Sequence, residues 1–382
     1  MGIIQFNYDE KLGKLYTQFS YDLYKYDPNW IPESRRAMAT FFRPESELYR
    51  HPENQHQHFL VFLENRVVGR ISAFINHELK DERGNQIGNI GLFESVKDYA
   101  VACDLFQSAI SWLKTQKCIS TIWGPVNFDI WHGYRLMTAG FGQNVFVTEP
   151  YNKNYYPIFF EKYGFSPIQN WHSVEINGKE NLERITLPCF ERYQKFIDMG
   201  YKFIPFQQGD FQNEIYKLYP LLCDSFSDFL GYTTINPESF ASLFKPFKYA
   251  FHNKFFVFIY DEKGELVGFA GAFLEISNAL RAMGGSNGIL SKIKFFYHHN
   301  LVQRILFFIG GMSHKEAAKK NGLGKAGFYY IMRQILDAGF ENVIIALMAQ
   351  GNHSRGMVKH YIHQAQRQYT LYELKLSNND NS

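Results

Sequence analysis

RILFFIGGMSHKEAAKKNGLGKAG, residues 304–327, places an apolar segment, a glycine-rich turn and the approach to a helix in direct succession. The apolar run Ile305–Ile309 predicts a buried strand that breaks at Gly310, and an amphipathic run from Phe328 to Ala338 predicts a helix. Such a turn leaves backbone N–H groups unpaired at the positive end of a helix, where a phosphate group can bind. The stretch therefore predicts a site for a phosphate-bearing ligand.

Two common phosphate-binding motifs fit this turn only in part. Residues 322–327 have the G-x-G-x-x-G spacing of a dinucleotide fingerprint, but they come too long after the strand. The next predicted strand, Asn342–Met348, is also not followed by the acid that this fingerprint needs. Gly324 and Lys325 are similar to the end of an ATP-type P-loop, but Ala326 replaces the hydroxyl residue that binds the metal.

A third motif is the pyrophosphate-binding loop of the GNAT acyltransferases, [QR]-x-x-G-x-[GA]. The segment Lys319-x-x-Gly322-x-Gly324 resembles it, with lysine at the first position. In that family the loop follows a long strand and begins a helix. A glycine-rich turn that only connects two elements is the alternative, so the order of elements in the rest of the chain matters for the choice.

The composition argues against several broad classes of protein. The chain has 382 residues, 46% of them hydrophobic, which is enough for two domains with their own cores. A net charge of +3 argues against nucleic-acid binding, and no apolar run is long enough for a membrane span. The four cysteines are scattered and the start shows no signal peptide, so we expect a cytoplasmic protein with reduced cysteines.

The predicted elements occur in the same order twice. A hairpin at 59–74 has a close counterpart at 255–273, and the helix and strand at 105–123 have a counterpart at 328–348. The second copy carries an insertion at 278–301 between its hairpin and its long strand. The sequence therefore predicts two related domains. Their predicted ranges are 1–178 and 201–382, with a linking helix in 179–200.

The repeated order β-α-α-β-β-β-α-β-α-β resembles the GNAT fold. Phe159–Phe165 is similar to the "LYEKLGF" end of the fourth helix of that family, and Val67–Gly69 and Leu266–Gly268 are similar to its hairpin. The segments Trp123–Phe128 and Tyr151–Tyr156 resemble a group of uncharacterised bacterial GNAT-like proteins. The resemblance implies an α/β fold with two tandem domains, each a mixed, mostly antiparallel sheet flanked by helices.

The resemblance also implies a cofactor, acetyl-CoA or another acyl-CoA. We expect one site only, in the second copy, because Gly91–Asp98 in the first copy leads into its helix without a glycine loop. The family places a tyrosine, its general acid, two helical turns after an asparagine. Two turns after Asn352 lies Lys359, and Tyr361 is two residues further along. The implied cofactor-binding residues are Gly311, Met312, Ser313, Lys319, Asn321, Gly322, Leu323, Gly324, Lys325, Ala326 and Asn352.

The reaction that the resemblance implies is attack of an amine on the acyl-CoA thioester. It requires that both reactants be positioned, that N–H donors stabilise the oxyanion, and that a group accept a proton. We expect the N–H donors around Gly310–Met312. The segment 127–134 is dense in polar and aromatic groups just after a buried strand, which predicts an acceptor pocket; a loop packed on the surface is the alternative. The predicted catalytic residues are Glu94, His132, Tyr134 and Tyr361, and the predicted substrate-binding residues are Asn127, Asp129, Glu149, Tyr155 and Tyr156.

Other functions stay open at this point. The displaced tyrosine and the missing first loop permit a ligand-binding protein without catalysis, and similar folds serve long-chain and aminoacyl-tRNA-dependent acyl transfer. The clustered His51, His56 and His58 lack a further ligand set, so we predict no metal. The basic, apolar segment 288–299 is predicted to pack as a helix, with a lid or a peripheral membrane contact as alternatives. The expected partner is a small-molecule or peptide amine.

Overall fold

The structure, a computed structural model, describes residues 2–116, 119–351, 353–362 and 367–376. It consists of two compact units. Of the described residues, unit 1 contains those in 1–170, 279–295 and 368–376, and unit 2 contains those in 171–278 and 296–367.

Strands and α-helices make up both units. The strands are β1 Gly2–Phe6, β2 Gln55–Leu63, β3 Arg66–Lys80, β4 Gln86–Ser95, β5 Thr121–Gly124, β6 Leu136–Ala139, β7 Ser166–Asn177, β8 Lys202–Pro205, β9 Phe256–Tyr260, β10 Leu266–Leu274, β11 Ile305–Met312, β12 Asn342–Ala349 and β13 Arg367–Lys375. The helices are α1 Glu10–Leu23, α2 Arg35–Met38, α3 Tyr99–Thr115, α4 Tyr156–Tyr163, α5 Lys179–Thr186, α6 Phe190–Asp198, α7 Phe211–Phe226, α8 Pro237–Phe244, α9 Ser277–Met283, α10 Ile289–His299, α11 His314–Ala317, α12 Leu323–Asp337 and α13 Lys359–Ile362.

The sheet of unit 1 has the strand order β1-β2-β3-β4-β5-β13, with β6 beside β13. Its strands pair antiparallel except β4 and β5, which are parallel. Successive residues of β2 belong to different apolar clusters: Phe59 packs with buried residues of α3 and α4, and Leu60 packs with those of α1 and the turn at 39–42. Both faces of the sheet are therefore covered, as the alternation of side chains along a strand requires.

The sheet of unit 2 has the strand order β7-β12-β11-β10-β9-β8. Here β11 and β12 are the parallel pair, and the other neighbours are antiparallel. Helix α12 buries Leu323, Ala326, Ile331 and Ile335, which recur at helical spacing on one face. These side chains pack in one cluster with buried residues of the strands and of α5 and α6. The two mixed sheets flanked by helices confirm the predicted fold class.

The two units interleave along the chain. Strand β7 follows α4, yet its residues from Trp171 onward pair with β12 in unit 2. Strand β13 follows the whole second copy, yet it pairs with β5 in unit 1. The predicted second domain, 201–382, includes this last strand, because spacing along the chain gives an order of strands but not their pairing partners. The ranges 1–178, 179–200 and 201–382 stay a prediction about tandem domains.

Several predicted boundaries differ from those in the structure. The strand predicted to break at Gly310 continues to Met312, because its backbone remains paired with β10 at Gly268–Gly271. Helix α12 begins at Leu323 rather than at Phe328, so Gly322 is its N-cap residue and Gly324 lies in its first turn. The segment 288–299 forms the predicted helix, α10.

Candidate functional site

Strands β11 and β12 separate partway along their length. Their parallel pairing ends at Phe307 and Ile345, although β11 continues to Met312. Leu347 has a φ of +53°, and its N–H donates to the Ser173 Oγ of β7 at 2.9 Å, which bends β12 away from β11. Beyond Phe307, the edge of β11 that faces β12 therefore has no strand partner within residues 119–351. Backbone N–H groups on this edge are available to a ligand.

The loop after β11 is organised by one buried carboxylate, that of Glu316. Ser313 caps helix α11, its Oγ accepting the Glu316 N–H at 3.2 Å. The Glu316 Oε1 accepts hydrogen bonds from Asn321 Nδ2 at 2.7 Å and Tyr201 Oη at 3.3 Å, and its Oε2 accepts one from Lys319 Nζ at 2.6 Å. Hydrogen bonding to Glu316 raises the pKa of Lys319, so the ammonium stays charged. The loop is thus held in one shape with a fixed cation.

Helix α12 begins where this loop ends. Gly322 has a φ of +89°, a left-handed conformation that suits glycine, and it is the N-cap residue. The Asn321 Oδ1 accepts the Leu323 N–H at 3.2 Å, which occupies one of the first donors. Gly324 leaves open space, because a Cβ there would contact only Met312 Cε at 3.4 Å. The positive end of the helix is therefore open to an anion. Lys325 and Ala326 lie in the same first turn.

The remaining predicted residues of unit 2 have other surroundings. The Tyr361 hydroxyl donates to Asn181 Oδ1 of helix α5 at 3.3 Å. Gly311 lies against the Ser225 side chain, and a Cβ there would approach Ser225 Oγ to 2.8 Å. Asn352 lies outside the described residues. The structure therefore gathers Met312, Ser313 and residues 319–326 around one loop. It pairs the Tyr361 hydroxyl with Asn181, which was not among the predicted site residues.

Unit 1 repeats the separation of parallel strands. The pairing of β4 with β5 ends at Asn89 and Trp123, whereas β4 continues to Ser95. Leu92 has a φ of +49°, and the pairing of β4 with β3 shifts register nearby. The two copies therefore share the strand geometry that opens a gap beside the long strand.

In unit 1 the chain itself fills this gap. The Val126 N–H donates to Ile90 O at 2.8 Å, and the Leu92 N–H donates to Asn127 Oδ1 at 2.8 Å. A Cβ at Gly91 would lie 2.4 Å from Val126 O, so the segment after β5 packs directly on the β4 backbone. Asn127, predicted to bind substrate, thus uses its amide oxygen on the long strand. In unit 2 the corresponding pairing of β11 with β12 ends at Phe307 and Ile345.

Glu94 lies in a buried polar cluster at the end of β4. Tyr24 and Tyr156 donate hydrogen bonds to its Oε2 at 2.9 Å and 2.6 Å, and Arg70 Nη2 lies 4.0 Å from its Oε1. Burial raises the pKa of Glu94 to about 7, although the Arg70 charge and the Tyr156 hydrogen bond act to lower it. The Arg70 Nε atom is buried and has no hydrogen-bond partner among the described residues. This carboxyl can hold or release a proton near neutral pH.

Asp129 and His132 form a hydrogen-bonded pair in the segment after β5. The His132 Nδ1 lies 2.7 Å from Asp129 Oδ1, which also accepts the N–H groups of Trp131 and His132. A carboxylate at Nδ1 favours the tautomer that leaves Nε2 as a proton acceptor. Burial acts to lower the pKa of His132, but Asp129 outweighs it and the pKa is raised. Tyr134 lies beneath the Arg135 guanidinium, with the ring centroid 4.0 Å from Cζ.

The other predicted substrate residues serve the interior of unit 1. The Glu149 Oε2 accepts the Phe146 N–H at 3.0 Å, and its Oε1 accepts the hydroxyl of Tyr369 on β13. The Tyr155 hydroxyl donates to Ser95 O at 2.8 Å, beside the Glu94 cluster. The structure thus brings Glu94, Tyr155 and Tyr156 together, and pairs Asp129 with His132.

The role of Glu316 is not among the predictions from the sequence. Ser313-x-x-Glu316 has the spacing of a capping box, which marks a helix start and could have drawn attention to this acid. In the cluster of His51, His56 and His58, for which no metal was predicted, both ring nitrogens of His58 lie within hydrogen-bond distance of protein oxygens, at 2.7 and 2.9 Å. Within the described ranges there is no group of three side chains suited to a metal ion, and none of the helices combines the length and apolar content of a membrane span.

Comparisons with known proteins support one fold. No protein-family model matches the chain. Protein YghO of Escherichia coli (strain K12) is 30% identical over 155 residues, which are 40% of this chain, and the chain spans 38% of the length of that relative. A tandem GNAT protein from the clavulanic acid biosynthesis pathway covers 99% of both chains with a TM-score of 0.51 and 11% identity. A probable N-acyltransferase from Enterococcus faecalis V583 covers 98% of this chain and 73% of its own, with a TM-score of 0.52 and 10% identity. The chain therefore has the tandem GNAT fold.

Proposed function

We propose that the protein is an acyl-CoA-dependent N-acyltransferase that acts on a small-molecule or peptide amine. The observation that carries this proposal is the combination of separated β11 and β12 strands with a glycine-capped helix directly behind them. In unit 2 the unpaired N–H groups of β11 and the positive end of α12 both lie in one segment, 305–326, and follow each other along the chain. Such a segment suits a ligand that carries a thioester carbonyl and a pyrophosphate joined by a long arm. The strand N–H groups would bind the carbonyl and the helix end would bind the pyrophosphate.

The loop binds the phosphate end of the donor in this proposal. The first turn of α12 supplies N–H groups and the helix dipole, and Lys319, held by Glu316, supplies a charge. Gly324 leaves room for the phosphate oxygens to approach the backbone. Unit 1 lacks this loop, and its own chain covers the corresponding strand edge at Leu92. One donor site per chain follows.

The chemical step needs an oxyanion donor and a proton acceptor. The amine nitrogen attacks the thioester carbon, the carbonyl oxygen becomes an oxyanion, and the C–S bond then breaks to release the thiol. We assign the oxyanion donors to N–H groups of β11 around Gly310–Met312. Two predicted catalytic residues of unit 1 are equipped to accept a proton. They are His132, whose Nε2 is left as an acceptor by the Asp129 hydrogen bond, and Glu94, which has a pKa of about 7.

Calorimetry with acetyl-CoA and longer acyl-CoAs tests the donor assignment. Wild type should bind at least one of them, and Gly324→Glu should weaken that binding roughly a hundredfold or more, because a carboxylate would meet the pyrophosphate at short range. Gly209→Glu is the matched control, since a Cβ at Gly209 also has open space around it. Equal affinity in the two variants contradicts the loop assignment, and no binding of any acyl-CoA by wild type contradicts the proposed function.

Thiol release in the presence of an amine library tests the chemistry separately. His132→Asn should bind acyl-CoA as wild type does but release thiol much more slowly. Binding of acyl-CoA by wild type without thiol release across the library would favour a ligand-binding protein that has kept the fold. That outcome has structural support, because the Tyr361 hydroxyl is already bonded to Asn181.

A further inference from the structure

Helix α10 presents large apolar side chains to solvent. Ile289 is 79% exposed, Leu290 75% and Ile293 61%, and Phe296 and Tyr297 are also exposed. These positions cover the outward side of the helix across its length, since residues three, four and seven apart share a face. A folded chain rarely leaves so many neighbouring apolar side chains in water unless something binds them.

The inward side of the same helix is anchored. Phe295 is buried on the side away from the exposed residues. Just before the helix, a Cβ at Gly285 would lie 2.0 Å from the Tyr21 hydroxyl, so the chain packs tightly on α1. Arg281 Nη2 donates to Asn29 O at 3.2 Å in the same unit. The helix is therefore fixed to the protein on one side, and its apolar side faces solvent.

The charged side chains in the sequence on either side of the helix have one sign. No Asp or Glu occurs in the sequence between Glu275 and Glu316, a stretch that contains Arg281, Lys292 and Lys294. Both lysines are exposed, and among the described residues neither has an ion-pair partner. A basic helix with an apolar outward side complements a surface that is apolar beneath a layer of negative charge, which is the surface of an anionic bilayer.

We propose that α10 docks the protein onto anionic membrane surfaces. The helix lies parallel to the membrane, with Ile289, Leu290 and Ile293 among the acyl chains and the lysine ammonium groups at the level of the lipid phosphates. With the bounds Ile289–His299 it is far too short to cross a bilayer, so the contact is peripheral. The docking does not depend on the proposed acyl transfer.

Sedimentation with vesicles tests this docking on the whole chain. Wild type should bind vesicles of phosphatidylcholine with phosphatidylglycerol and bind pure phosphatidylcholine vesicles much more weakly. Ile293→Glu should weaken binding to the anionic vesicles at least tenfold. It replaces an apolar side chain that would be buried in the membrane with a charge of the same sign as the lipid headgroups. Ile158→Glu is the matched control, because Ile158 also lies on a helix and is also 61% exposed.

A second variant separates charge from apolar contact. Lys292→Gln with Lys294→Gln should weaken binding about fivefold per lysine and reduce its salt dependence. Absence of binding to anionic vesicles, or equal binding by Ile293→Glu and Ile158→Glu, overturns the proposal. A third result would also overturn it: wild type is a dimer in gel filtration and does not bind vesicles, and Ile293→Glu dissociates the dimer. The helix would then bind a second copy of the chain.

Discussion

Glu94→Gln should change how the stability of the protein depends on pH. Burial raises the pKa of Glu94 to about 7 in the folded protein, against an ordinary value of 4.5. Because the folded-state pKa is the higher one, the stability contributed by this carboxyl is fully present below pH 4.5 and is lost as the pH rises through 7. At about 1.4 kcal/mol per pKa unit, the total loss is about 3 kcal/mol. Glutamine cannot ionise, so the variant lacks this loss.

Urea unfolding of wild type and Glu94→Gln between pH 5 and pH 8 measures the effect. The unfolding free energy of the variant, relative to wild type, should increase by roughly 2 kcal/mol across that range. Glu53→Gln, at an exposed position of the same unit, is the control and should show no such trend. If the difference in unfolding free energy between Glu94→Gln and wild type is constant with pH, the reasoning is refuted. Glu94 would then have the same pKa in the folded and the unfolded protein.

The remaining predictions concern backbone packing, the proton acceptor and the loop carboxylate. Gly91→Ala should destabilise the protein by about 3 kcal/mol in chemical unfolding, because its Cβ would meet the Val126 carbonyl oxygen at 2.4 Å. Asp129→Asn should lower kcat/KM roughly a hundredfold or more and move the acid limb of its pH profile to lower pH, because the raised pKa of His132 depends on the carboxylate. Glu316→Ala should cost about 2 kcal/mol and weaken acyl-CoA binding in calorimetry roughly tenfold, since three side chains lose their shared partner.

Each of these predictions has a clear opposite outcome. Gly209→Ala, in open space, should leave stability nearly unchanged, and an equal loss at Gly91 and Gly209 would contradict the packing argument. A pH profile of Asp129→Asn that keeps its acid limb would remove His132 as the proton acceptor. Glu341→Ala, at an exposed position of unit 2, is the control for Glu316→Ala, and unchanged affinity in both would show that the loop shape does not matter for binding.

Much of the fold follows from local pattern. The hairpins at 59–74 and 255–273 and the helix end within Phe159–Phe165 appear where the sequence predicts them, because these signals arise from a few adjacent residues. The pairing of β13 with β5 is different. Strand partners are chosen by contacts far apart in sequence, and β13 carries no residue pattern that separates β5 from β12 as its neighbour.

The residues of the candidate site stay a prediction, to which the structure adds hydrogen bonds. Spacing selected Lys319 and Gly322 and indicated Asp129 and His132 as polar groups in one segment, but it could not show that Asp129 and His132 form a hydrogen bond. The buried role of Glu316 was equally invisible, since a glutamate on a short helix is usually solvated. Hydrogen-bond geometry in three dimensions supplies these details, which composition and periodicity do not contain.

The interleaved strands have a consequence for how the protein is made. Unit 1 contains β13, so its sheet cannot be completed until the ribosome has released residues 367–375. Until then β5 has an unpaired edge on the growing chain, which is open to misplaced strand pairing and to chaperones. Expression of residues 1–178 alone should therefore give an aggregation-prone product, and an added peptide of residues 367–376 should rescue its solubility.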